Sequence, residues 1–143
     1  MQNIICFLDF DGVLHSIGQQ AFNPHVMSRL ADAIEHYPVS IVISSAWRLE
    51  YDLEKLRDFL GDRLGPRVIG VNPFIPDPFL KYCRFHEGQL YLEQADLIGL
   101  PWLAIDDQES CYPPGAPVVI TDHREGFGPI DAEVLDQLLT KVV

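Results

Sequence analysis

Asp9 and Asp11 stand one residue apart, where the apolar run Ile4-Ile5-Cys6-Phe7-Leu8 meets Gly12 and Val13. Residues i and i+2 of a strand share a face, so both carboxylates are expected to project together past the strand end. Two like charges about 4 Å apart at an effective dielectric near 20 repel by about 4 kcal/mol. The pair therefore calls for a cation, and a hard oxygen-seeking ion such as Mg²⁺ suits it. Two later strand ends repeat the pattern: Ile43 runs into Ser44-Ser45-Ala46-Trp47-Arg48, and Ile105 runs into Asp106-Asp107. Lys81 and Arg84 lie between them, just ahead of or at the start of a helix.

These groups meet only if the elements carrying them are parallel and adjacent. A strand buried on both faces reads as a continuous apolar run, and ligands of open α/β sheets bind beyond its carboxyl end. Strand and helix patterns alternate along the chain, which predicts a three-layer α/β/α, Rossmann-like parallel sheet of about five strands. Expected strands are about Asn3 to Asp9, Val39 to Ile43, Arg67 to Val71, Trp102 to Ile105 and Val118 to Thr121. Asn23-Pro24 reads as an N-cap with proline in the first turn of a helix reaching about His36. Further helices are expected over Asp52 to Leu60, stopped by Gly61, over Phe85 to Leu97, and over Asp131 to Leu139. The three prolines between Asn72 and Pro78 mark a loop.

With 143 residues, 48% of them apolar, the chain suits one domain over residues 1–143 with a single core. It has no apolar run long enough to span a membrane, and no signal peptide is expected. Cys6, Cys83 and Cys111 are odd in number and widely spaced, which points to a reducing, cytoplasmic setting rather than disulfides or zinc. The net charge of −11 argues against capture of nucleic acid by the whole surface. None of the five histidines has metal-ligand spacing, and His15 alone lies near the acidic pair.

In this order and placement, Asp9-Phe10-Asp11-Gly12-Val13, Ser44 or Ser45, Lys81 or Arg84, and Asp106-Asp107 resemble the motifs of the haloacid dehalogenase (HAD) superfamily of phosphohydrolases. Arg84-Phe85-His86-Glu87 ahead of Tyr91-Leu92 is similar to a small branch also found fused in multi-activity RNA-repair proteins. The resemblance implies a Mg²⁺-dependent phosphatase. Asp9 is then the implied nucleophile, forming an acyl-phosphate. Asp11 is the implied acid for the leaving alcohol and base for water. Implied metal ligands are Asp9, the backbone carbonyl of Asp11, and Asp106 or Asp107. Ser44, with Ser45 competing, would bond the phosphoryl oxygens; Arg84, with Lys81 competing, would balance their charge.

Taken singly, each motif has a plainer reading: a turn for Asp9-Phe10-Asp11, a cap for the serines, a solvated turn for Asp106-Asp107. Trp47 reads as a loop anchor, Arg48 as either a substrate contact or a salt bridge, and Thr121-Asp122 as a further strand end at the same edge. Superfamily members often insert a cap domain. Here the intervals Gly12–Ile43 and Leu49–Tyr82 hold 32 and 34 residues, already used by a flap near Leu14 to Phe22, helices, strands and a loop. The site is therefore expected to be capless and open, suiting a phosphorylated substrate as large as a polynucleotide end or a phosphoprotein. The competing activities are phosphotransfer through the same intermediate, and phosphate binding or regulation without catalysis.

Overall fold

The structure, a computed structural model, describes residues 2–15 and 22–142. Strands β1 (Ile4–Leu8), β2 (Val39–Ile43), β3 (Val68–Val71), β4 (Trp102–Asp106) and β5 (Val118–Ile120) form one parallel sheet in the order β3-β2-β1-β4-β5. Helices α1 (Pro24–Ile34), α2 (Leu53–Leu64), α3 (Cys83–Gln94) and α4 (Pro129–Val142) cover it. The fold is the expected three-layer α/β/α sandwich.

Alternation along the strands sorts the core into two layers. Ile4, Cys6 and Leu8 of β1 face Leu30 of α1, Leu56 of α2 and Leu135 of α4. Ile5 and Phe7 face the other way, onto Leu92 of α3 and Tyr112 of the β4–β5 connection. The chain steps outward from β1 to β2 to β3 with α1 and α2 on one face. It then returns past β1 to β4 through α3 on the opposite face. Reversing direction while keeping right-handed crossovers requires that change of face. The reversal lies between β1 and β4, and at such a point the strand ends open a crevice.

Local signals explain most helix starts. Asn23 Oδ1 accepts from the amides of His25 and Val26, with Pro24 in the first turn of α1. Asp52 Oδ1 accepts from the Lys55 amide and caps α2. Gly61 was expected to stop α2. The chain does leave helical geometry there (φ 76°), but it resumes as far as Leu64 because Leu60 and Leu64 both bury. α3 begins at Cys83, two residues earlier than expected, after Tyr82 in the left-handed region (φ 57°). A 3-10 turn over Ala46–Leu49, capped by Ser45, also lay outside the expected elements.

Among the described residues no inserted lid stands between the strands. The flap expected over Leu14 to Phe22 falls mostly outside the described residues. No helix among them is long and apolar enough to cross a membrane.

Candidate active site

Sheet register brings the polar groups into line. Val71, Ile43, Leu8 and Ile105 are level across four adjacent strands. One residue further on, Asn72, Ser44, Asp9 and Asp106 therefore form a row at the carboxyl edge. Backbone bonds from Asn72 N to Ile43 O, Ser44 N to Leu8 O and Asp9 N to Ile105 O hold them there. Asp9, Ser44, Asn72 and Asp106 are all buried.

The row lies under the first turn of α3. Gly88 packs on Phe7, where a Cβ would come within 3.2 Å of the ring. Arg84 lies on the same helix face, four residues earlier and about 5–6 Å along the axis. Two strand residues cover roughly the same distance, from Phe7 to Asp9. The close contact at Gly88 thus sets Arg84 above Asp9. Its Nη1 lies 3.1 Å from Asp9 Oδ2 and 2.6 Å from Asp106 Oδ2.

Asp9, Asp106 and Asp107 present carboxylate oxygens all within 4.8 Å of one another. Asp107 comes this close because Gly12 has no side chain: a Cβ there would run into the Asp107 carboxylate, and the backbone is left-handed (φ 77°). The Thr121 hydroxyl donates to the Gly12 carbonyl at 2.7 Å and ties this turn to the end of β5.

Asp11 is placed differently. β1 ends at Leu8, and the chain then turns, with the amides of Val13 and Leu14 bonding Phe10 O. The i, i+2 rule no longer holds past that point. The Asp11 carboxylate joins Trp47 Nε1, which donates to Oδ1 at 3.3 Å, rather than the acidic cluster. This placement concerns the carboxylate alone; the ligand atom implied for Asp11 is its backbone carbonyl, which the side-chain position leaves untouched. Lys81 is not brought in: it is exposed, with Nζ 5.1 Å over the Tyr82 ring. Ser45 Oγ accepts from Trp47 N, whereas Ser44 Oγ is buried without a partner, so Ser44 has the hydroxyl to spare. Asp122 is exposed and bonds the Arg124 amide in a local turn.

Arg48 is structural. Its guanidinium donates to the carbonyls of Asn72, Ser44 and Ser45 and pairs with Glu87 Oε1 at 3.1 Å. Glu87 Oε2 in turn accepts from the Ile75 amide. The ends of β2 and β3 are thereby tied to α3.

A family model described as the HAD domain in Swiss Army Knife RNA repair proteins matches residues 5–132. The chain belongs to this family of HAD domains. No curated protein matches it. Family membership supports phosphohydrolase activity in general, and in this HAD domain the electrostatics agree with a metal centre. Burial pushes the Asp9 carboxyl up to about 8; Asp106 adds to the rise and Arg84 opposes it. Asp106 is raised by burial as well, against the pull of Arg84. Burial alone would lower the Arg84 guanidinium, but Asp9 and Asp106 hold it above its ordinary range. One guanidinium facing three carboxylates leaves two negative charges when all are ionised. Asp107 Oδ1 is buried without a hydrogen-bond partner, and Asp9 Oδ2 has only its ion pair with Arg84, which it shares with Asp106. All-oxygen donors with uncompensated charge fit a hard divalent cation.

Sequence reasoning passed over three groups of this HAD domain. The Asn72 carboxamide, with both polar atoms buried and unpartnered, falls at the start of the stretch expected as a loop. Its place directly after an apolar strand was the available signal. Tyr112, whose buried hydroxyl is unpartnered, feels Asp106 and Arg84. Its turn-like surroundings gave no sign of this. The pairing of Asp11 with Trp47 depends on the turn after β2 and could not be read from spacing.

Proposed function

We propose that this domain is a Mg²⁺-dependent phosphatase that hydrolyses phosphate monoesters through a phosphoryl group carried on Asp9. The supporting observation is the gathering of Asp9, Asp106, Asp107, Arg84 and the free Ser44 hydroxyl at one sheet edge. In the first step an Asp9 carboxylate oxygen attacks phosphorus, the bond to the ester oxygen breaks, and Asp11 gives its proton to the departing alkoxide. In the second, Asp11 takes a proton from water as that water attacks the acyl-phosphate, releasing phosphate and restoring Asp9. Arg84 and Ser44 donate to the phosphoryl oxygens, whose charge spreads in the transition state. Asp9, Asp106 and Asp107 would hold the Mg²⁺, which supplies charge neutralisation at those oxygens when bound.

A polynucleotide end is the favoured substrate, because the family's description names RNA repair and no lid covers the site among the described residues. The net charge of −11 limits backbone contacts, so recognition centres on the phosphorylated terminus itself. The test compares kcat/KM for a 3′-phosphorylated oligonucleotide with that for free nucleotides and sugar phosphates, with and without Mg²⁺. Turnover is expected to need the metal and to favour the oligonucleotide by about tenfold or more. Preference for small metabolites would overturn the substrate assignment, and metal-independent turnover would overturn the mechanism.

A further inference from the structure

The acid–base group has to present one chosen oxygen to the leaving alcohol and then to water. The strand does not provide that control, since Asp11 lies past its end with its side chain 49% exposed. Two rings approach the same oxygen instead. Trp47 Nε1 donates to Asp11 Oδ1 at 3.3 Å, and His15 Nε2 lies 2.9 Å from it, off the straight line of a formed hydrogen bond.

Both rings are fixed in an aromatic block. His15 is packed against Phe22 and Trp47 with centroids 5.4 and 5.7 Å away. Trp47 in turn meets Phe10, Phe22 and Phe59 at 5.6, 5.2 and 5.4 Å. The His15 side chain is only 1% exposed, and its nitrogens make no hydrogen bond among the described residues. An imidazole in such a place costs desolvation that a phenyl ring would not. Packing therefore does not account for a histidine here, whereas the contact with Asp11 does.

We propose that His15 and Trp47 are positioning residues for the acid–base step. They hold Oδ1 from behind, so that the transferred proton travels on Oδ2, which faces the leaving group. This inference rests on the phosphatase reading above, with Asp11 as the acid. It goes further in assigning the choice of oxygen to an aromatic block 36 residues away in sequence for Trp47 and one turn away for His15.

Leaving-group dependence tests it, because kcat/KM reports steps up to phosphoryl transfer onto Asp9. p-Nitrophenolate departs without a proton, whereas the alkoxide of glycerol phosphate requires one. Trp47→Phe and His15→Phe each keep a ring and delete the nitrogens. Each is expected to lower kcat/KM for glycerol phosphate at least about tenfold more than for p-nitrophenyl phosphate, within the 10²–10⁴-fold range of general acid catalysis. Asp11→Asn should show the same skew, and adding Trp47→Phe to it should cost little more. Equal losses on both substrates would mark a merely structural role and overturn the proposal, as would no loss on either. Trp47→Phe decides the matter if His15→Phe does not fold. A wild-type protein that hydrolyses neither these esters nor a 3′-phosphorylated oligonucleotide would instead sink the phosphatase reading itself.

Discussion

As the proposed nucleophile, Asp9 meets opposed demands: that role requires it ionised to attack phosphorus, yet the fold that buries it favours its proton. With its carboxyl at about 8, against about 4 for an ordinary aspartate, the neutral form is the one the metal-free fold prefers. The contribution of this group to stability is therefore full below about pH 4 and is lost as pH rises through about 8. A divalent cation must displace the proton below that range, so it binds better as pH rises. In thermal scans, Tm of the EDTA-treated protein is expected to fall between pH 5 and pH 8.5, and added Mg²⁺ to raise it more at pH 8.5 than at pH 5. A Mg²⁺ effect that is absent, or larger at pH 5, would contradict this. At this scale the sequence was legible for Asp9 and Asp106 at the ends of buried strands and for the serine pair after β2, though not for Asn72 in the same row. It was not legible where a turn intervenes. Asp11 left the expected face because β1 stops at Leu8, and the two serines separated only once Ser45 was seen capping a turn.

α3 does the positioning at the scale of elements. Its approach at Gly88 sets Arg84 over Asp9, and its next turn supplies Glu87 to the buried guanidinium of Arg48. That guanidinium holds the backbone of β2 and β3 at their carboxyl ends, directly beneath Ser44 and Asn72. Glu87→Ala would leave a buried charge without its partner and the Ile75 amide without its acceptor. Such a loss costs about 3–5 kcal/mol, whereas Glu87→Gln, which keeps hydrogen-bonding capacity, should cost less. Urea titration of both variants checks this, and equal stability of Glu87→Ala and the parent would refute it. The strands and α1 were readable because apolar runs and an Asn-Pro start announce them. The start of α3 was misread by two residues because Tyr82 opens it from the left-handed region without a side-chain cap.

The sheet order puts the change of direction between β1 and β4, where Asp9 and Asp106 stand. Three helices cover one face and α3 covers the other, so the candidate site depends on α3 for its cation and on the ends of β1 and β4 for its carboxylates. The overall architecture was legible from the alternation of elements alone. The convergence of the site was legible only on the added premise that the first, second and fourth strands are neighbours, which the register supplies.

In the phosphatase proposed above, that convergence lets phosphate leave its ester by way of Asp9. Its most direct test is acid quenching of the Mg²⁺-loaded protein during turnover of a phosphate monoester, followed by peptide mass spectrometry. One phosphoryl group is expected on the peptide containing Asp9, labile to hydroxylamine, with both this adduct and phosphate release lost in Asp9→Asn. Undiminished phosphate release by a folded Asp9→Asn protein would contradict the account.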